Sequence, residues 1–178
     1  MNLFVTSDCP LQSAIDLDLV RVNKMILECA QMLSSSVAIH MVGEVPNQAN
    51  KGKYERLRAD LPELYKVSHA NHPASIWVRA TKANYLWTLD HMKALGDVKI
   101  EATSKGHKSL EMVDMLEQLV SEISSGRLTD FANCAANKSL GLDFKHLPVH
   151  DAYKAYLKSR WLMDKHEPKW LGDKPKWY

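Results

Sequence analysis

Residues 19–40 read LVRVNKMILECAQMLSSSVAIH. Within them Leu19, Val22, Ile26, Cys29, Leu33 and Val37 recur at steps of three and four. That rhythm matches the 3.6-residue turn of an α-helix, so the six side chains form one stripe for burial. A helix this long with an apolar stripe must pack against other helices, and this predicts a mainly α fold.

Upstream, Leu3-Phe4-Val5 is a short apolar run, either a small strand or an extended segment packed on helices. Ser7-Asp8-Cys9-Pro10 reads as a helix start, with Ser7 or Asp8 as cap and Pro10 in the first turn. A helix or helix pair then runs to about His40.

Downstream, Gly43 to Asp60 holds Gly43, Pro46, Asn47, Asn50 and Gly52 and reads as a basic loop. Asn71-His72-Pro73 opens a second long helix that reaches about Leu95, where Gly96 ends it. A third helix runs from about Ser109 to Ser124 on a stripe of Met112, Met115 or Leu116, Leu119 and Ile123. Gly126 to Leu147 is mostly irregular. Pro148 opens a last helix through about Lys165. The expected architecture is a single compact helical domain over residues 1–166, with three or four main helices. An extended C-terminal arm, residues 167–178, packs on it.

The chain has 178 residues, which suits one domain, and an apolar fraction of 46%, enough for one core. A net charge of +2 does not by itself select a nucleic-acid partner, so charge must be read position by position. Three cysteines with no CxxC pair argue against a zinc site and suit a reducing cytoplasm. No signal peptide, membrane-length run or GxxxxGK[ST] phosphate loop is read, so no membrane partner and no cofactor are expected.

Five constellations can carry chemistry. Arg21, Lys24, Glu28 and Gln31 share a helical face, where cations suit phosphate and a carboxylate suits acid/base work. The same spacing also suits a solvated face with a Lys24–Glu28 ion pair. His69, Asn71 and His72 stand at a helix N-terminus, where free N–H groups attract anions and histidine shuttles protons. A metal there lacks further ligands. Trp77, Asn84 and His91, seven apart, with Trp87 and Arg79 nearby, can stack on and read an extrahelical base, or simply pack a core. Asn133 and Asn137 offer amides to a base edge, or form turns. In the arm, Lys174 and Trp177 pair phosphate contact with stacking, or staple the arm to the helices.

The order of these motifs resembles the pyrimidine-dimer DNA glycosylase family of phages and bacteria, the endonuclease V type. The opening Met1-Asn2-Leu3-Phe4-Val5, Leu19-Val20 in a long first helix, Asn71-His72-Pro73 and the closing Lys174-Pro175-Lys176-Trp177-Tyr178 carry it. Lys24-Met25, Glu28, Asn71-His72-Pro73 and Trp77 are also similar to a pattern in a group of small bacteriophage proteins. The resemblance implies an all-α fold and base flipping, with arginines on the phosphates. It also implies an α-amine nucleophile that attacks the sugar C1′, assisted by a glutamate on the first long helix. This chain departs at residue 2, which is Asn, and at the glutamate. The matching position falls near Met25, and the nearest carboxylate is Glu28, about one turn later.

Three functions follow as expectations. The first is a DNA glycosylase/lyase, a hydrolase acting on an extrahelical pyrimidine, with Glu28, His72 and Lys24 catalytic and Arg21 on phosphate. The second is a DNA modification transferase that places a group, such as an amino acid, on an activated pyrimidine and needs that small molecule as co-substrate. The third is a non-enzymatic DNA-binding protein. All three place the chain on DNA in the cytoplasm, the host cell's if it is phage-encoded.

Overall fold

The computed structural model describes all residues, 1–178, and the fold is mainly α. The predicted apolar stripe lies at its centre. Helix α2 spans Leu19–Val42. Asp18 caps it by accepting the Val20 N–H at 3.2 Å. Gly43, with φ 88, ends it in the left-handed conformation that glycine adopts without steric cost. Val22, Ile26, Cys29, Leu33 and Val37 are all fully buried, whereas Leu19, the sixth member of the stripe, is half-buried at the helix start. Each aliphatic side chain buried this way contributes about 1.5–3 kcal/mol. By length and composition α2 is also apolar enough to cross a membrane, which corrects the expectation that no such stretch exists. In this fold 72% of its most apolar window is buried among the other helices.

Helix α1 (Pro10–Ile15) precedes it, so the first helical region is a pair. The second expected helix is also a pair: α4 (Pro73–Ala80) and α5 (Lys82–Thr103). Thr81 breaks it, with extended φ −145 and ψ 157. Its Oγ1 accepts the Asn84 N–H at 3.1 Å and donates to the Arg127 carbonyl at 3.0 Å. Asn84 Nδ2 donates to the Trp77 carbonyl at 2.8 Å, so side chains satisfy the backbone groups freed by the break. Gly96 does not end the helix. It lies within α5, where an added Cβ would stand 2.8 Å from Leu110 Cδ2. The glycine marks a close approach of two segments.

Two further expectations are corrected. The basic stretch read as loop to Asp60 folds from Lys51 to Asp60 as helix α3. The third helix is a series: a 3-10 turn (Lys108–Met112), α6 (Val113–Gln118) and a second 3-10 turn (Leu119–Glu122).

Residues 126–147 are irregular apart from one antiparallel pair and a 3-10 turn between its strands. The pair is β1 (Ala136–Asn137) on β2 (Leu142–Asp143), with Ala136 opposite Asp143. Helix α7 spans Val149–Met163. The core joins 33 buried residues, most of them from α1, α2, α4, α5, α6, α7 and the N-terminal segment.

Candidate active site

Residues 1–10 form a strap across the helices. Leu3, Phe4 and Val5 are buried, and they pair with no strand. Phe4 takes a left-handed φ of 41, uncommon for a residue with a side chain. Its ring is held between Tyr156, stacked at 5.8 Å, and the edge of Tyr153 at 6.0 Å. The strap's carbonyls are held in turn. His150 Nδ1 lies 3.1 Å from the Val5 oxygen, Trp87 Nε1 donates to Asp8, and His91 Nδ1 lies 2.9 Å from the Pro10 oxygen.

The strap delivers the chain's start to Glu28. The Asn2 backbone N–H donates to Glu28 Oε2 at 2.6 Å, and the Met1 α-amine stands 3.9 Å from the same oxygen. The Met1 side chain is 2% exposed and packs on the core. Lys24 Nζ lies 3.4 Å from Glu28 Oε1, with its own side chain 61% exposed. Glu28 is only 8% exposed, yet each of its oxygens has a polar partner. This is what a buried carboxylate requires.

His72 caps α4 through Nδ1, which accepts the Ala74 N–H at 3.2 Å. Burial lowers its pKa, the α-amine and His69 lower it further, and Glu28 opposes them. A neutral ring with Nδ1 as acceptor carries its proton on Nε2. Cys134 belongs to the same neighbourhood. Burial raises its pKa, while the nearby polar groups of Tyr153 and Ala74, and the positive α-amine, act the other way. The half-buried thiol is therefore held neutral. His69 and Asn71 are exposed on the turn before α4, and His69 has a positive φ of 49. Arg79 Nη1 donates to the Ala70 carbonyl and fastens that turn. Gln31 is half-buried on α2, one turn beyond Glu28. Glu28, Lys24, His72 and the α-amine thus gather at one place, with His69, Asn71 and Gln31 around it.

Other expected contacts serve the fold. Arg21 is 7% exposed and bound to Asp18 at 2.9 Å and Asp164 at 2.6 Å, so its guanidinium is not free for phosphate. Asn84 is fully buried, and its amide is used by Trp77, Thr129 Oγ1 and the Thr129 N–H. Trp77 is 5% exposed and packs edge-on to Trp87 at 5.9 Å. His91 is fully buried and stacked on Trp87. None of these three can receive a flipped base in this arrangement. Asn133 turns its amide to the Leu147 carbonyl at 3.1 Å. Trp177 stacks on Trp161 at 5.6 Å and donates to Asp16 Oδ2 at 2.9 Å, so it fixes the arm. Lys174 lies over the Tyr178 ring. Asn137, whose Oδ1 accepts from Ser139, lines an open groove of about 370 Å³ with Lys24 and Arg160.

Two features were not legible in advance. Tyr153 links Cys134 to the Ala132 carbonyl through its hydroxyl. Asp16 and Asp18 anchor three indoles: Trp161 and Trp177 on their carboxylates and Trp170 on the Asp16 carbonyl. The sequence signal for the latter is a pair of acids two apart beside a tail with two tryptophans.

No group of three or more His, Cys, Asp or Glu side chains is placed to hold a metal ion. Comparison with protein families, with curated proteins and with solved structures finds no match to this chain.

Proposed function

We propose that this protein excises a pyrimidine base from DNA, as a glycosylase/lyase. The observation that supports the reading is the pairing of the Met1 α-amine, at the start of the strap, with the buried Glu28 carboxylate of α2, 3.9 Å away. An amine beside a carboxylate is an activated nucleophile with its own proton acceptor. In this scheme the unprotonated amine forms a bond to the sugar C1′. The glycosidic bond breaks, and its electron pair leaves with the base, which accepts a hydrogen bond from the neutral His72 Nε2–H and is protonated from solvent. Glu28 takes the proton released by the attacking amine. The C1′–O4′ bond of the sugar then breaks, O4′ takes its electron pair and the proton held by Glu28, and the nitrogen lone pair closes a protonated imine to C1′. Lys24, with its mostly exposed side chain beside Glu28, meets the phosphate.

The test is mass spectrometry of nucleosides after incubation with ultraviolet-damaged DNA, and with phage DNA carrying modified pyrimidines. Borohydride is present in a parallel sample, and Glu28→Gln is the control. Release of a free base, lost in the variant, with a reduced sugar adduct on the Met1 peptide, supports the proposal. A heavier nucleoside with no nicking replaces it by group transfer, for example of an amino acid. Unchanged DNA, bound in a salt-dependent way that survives loss of Glu28, replaces it by a non-enzymatic DNA-binding role.

A further inference from the structure

Helix α3 is anomalous among the helices of ten residues or more, because none of its residues is buried. Its sequence nevertheless has an inner face. Tyr54, Leu57 and the capping residue Leu61 recur at three- and four-residue steps and are only half-buried. An apolar stripe normally closes onto a core at near-crystalline density. Here it faces a cleft of about 290 Å³, whose opposite wall is Ala38, Leu64, Tyr65 and Val67. The helix is held from its side, by the Tyr54 hydroxyl donating to the Glu44 carbonyl and by a Lys53–Glu44 ion pair. The opposite wall is fixed: Tyr65 shares a 2.9 Å hydrogen bond with buried Ser109, and Leu64 is 5% exposed.

The charge around the cleft is one-sided. Lys51, Arg58 and Lys66 contribute to its lining, and Glu55 is its one acid. Glu55 is paired with Lys51 at 3.6 Å, whereas Arg58 and Lys66 form no ion pair. An apolar slot with two uncompensated cations matches a ligand that is apolar along its body and anionic at one end.

We infer that the cleft between α3 and the Leu61–Val67 segment is a binding site for a small amphipathic anion. Its apolar body is of one- or two-ring size and lies between Leu57 and Tyr65, with its acid group on Arg58 and Lys66. The site is separate from Glu28 and independent of the reading of that site. It adds a small-molecule ligand to a protein otherwise read as acting on a polymer.

The probe is 8-anilinonaphthalene-1-sulfonate, followed by fluorescence and by calorimetric stoichiometry on the full chain. Its uncharged counterpart, N-phenyl-1-naphthylamine, has the same rings without the sulfonate. The site predicts one mole of the sulfonate bound per chain, at least fivefold more tightly than the neutral compound. Leu57→Trp fills the slot and abolishes binding of both. Arg58→Gln combined with Lys66→Gln brings the sulfonate down to the affinity of the neutral compound. Leu57 is half-buried and Arg58 and Lys66 are exposed, so these variants leave the buried core intact, and circular dichroism checks that they fold. Equal binding of the two probes by the unmodified protein overturns the anionic assignment. Binding undiminished in Leu57→Trp overturns the site.

Discussion

The Asn2 backbone N–H donates to Glu28 Oε2 at 2.6 Å, while the Met1 α-amine lies 3.9 Å from that same oxygen. One carboxylate oxygen therefore fixes the strap's backbone and faces its amine. Glu28→Gln removes the charge and the proton acceptor while nearly preserving volume. The expected result is a loss of base release of about 100-fold or more, the usual scale for a lost general base. Lys24→Ala removes a mostly exposed partner, and it is expected to change stability by under about 0.5 kcal/mol. Rates on damaged DNA and urea unfolding of both variants check this. Equal loss of activity and stability in Glu28→Gln would reduce the residue to a structural clamp.

His91 supplies a pH prediction. Burial pushes its pKa down to about 4, against a partial rise from its bond to the Pro10 carbonyl. The unfolded chain, with a histidine pKa near 6.5, binds the proton more readily than the folded one. Stability therefore rises with pH between about 4 and 6.5, and falls as acid is added through that window. The full span is on the order of 3 kcal/mol. His72 and His107 shift in the same direction, so the sign is shared. His91→Gln is expected to flatten the slope measured by urea unfolding at pH 4.5, 5.5 and 7. An unchanged slope would place the acid sensitivity elsewhere.

The fold was legible where period alone decides. The stripe from Val22 to Val37 needs only the helical turn, and every member of it is buried. It was less legible where a side chain overrides the period. Thr81 interrupts an unbroken apolar pattern because Thr129 and Arg127, nearly fifty residues away, complete the break. The same limit governs the site. Lys24 and Glu28 could be paired from an i,i+4 spacing, but the arrival of Asn2 at Glu28 depends on a strap held by His150 and Trp87. Arg21 looked like a ligand contact because it shares a polar helical face with Lys24 and Glu28, and Asn84 because it is an amide seven residues from both Trp77 and His91. Their partners Asp164 and Thr129 are distant in sequence, and burial with those partners assigns them to the fold.

Arg21 joins the start of α2 to the end of α7. Its two nitrogens reach Asp18 and Asp164, and Asp18 also accepts from Trp161 Nε1 at 2.7 Å. Arg21→Gln leaves Asp18, which is 1% exposed, without its counter-charge. Breaking one side of a buried pair costs about 3–5 kcal/mol when the remaining charge stays buried. A loss of about 2–4 kcal/mol is expected here, because Trp161 and the Val20 N–H still bind Asp18. Equilibrium urea unfolding measures it. A variant of unchanged stability with weakened, less salt-dependent DNA binding would return Arg21 to the phosphates.

The arm offers a graded test of its own attachment. Trp177 contributes a ring stacked on Trp161 at 5.6 Å and an N–H to Asp16 Oδ2. Trp177→Phe keeps one six-membered ring for the stack and removes the N–H. Asp16 retains Thr6 Oγ1 and Gln12 Nε2, so the cost is that of one hydrogen bond to a charged group, about 1.5–3 kcal/mol. Trp177→Ala removes the stack as well, and the expected total is about 3–5 kcal/mol. Limited proteolysis should then cut the arm after Lys165 or Lys169 faster in the alanine variant than in the phenylalanine variant. If both variants match the unmodified protein in stability and cleavage, the indole does not hold the arm, and Trp177 is released for contact with a ligand.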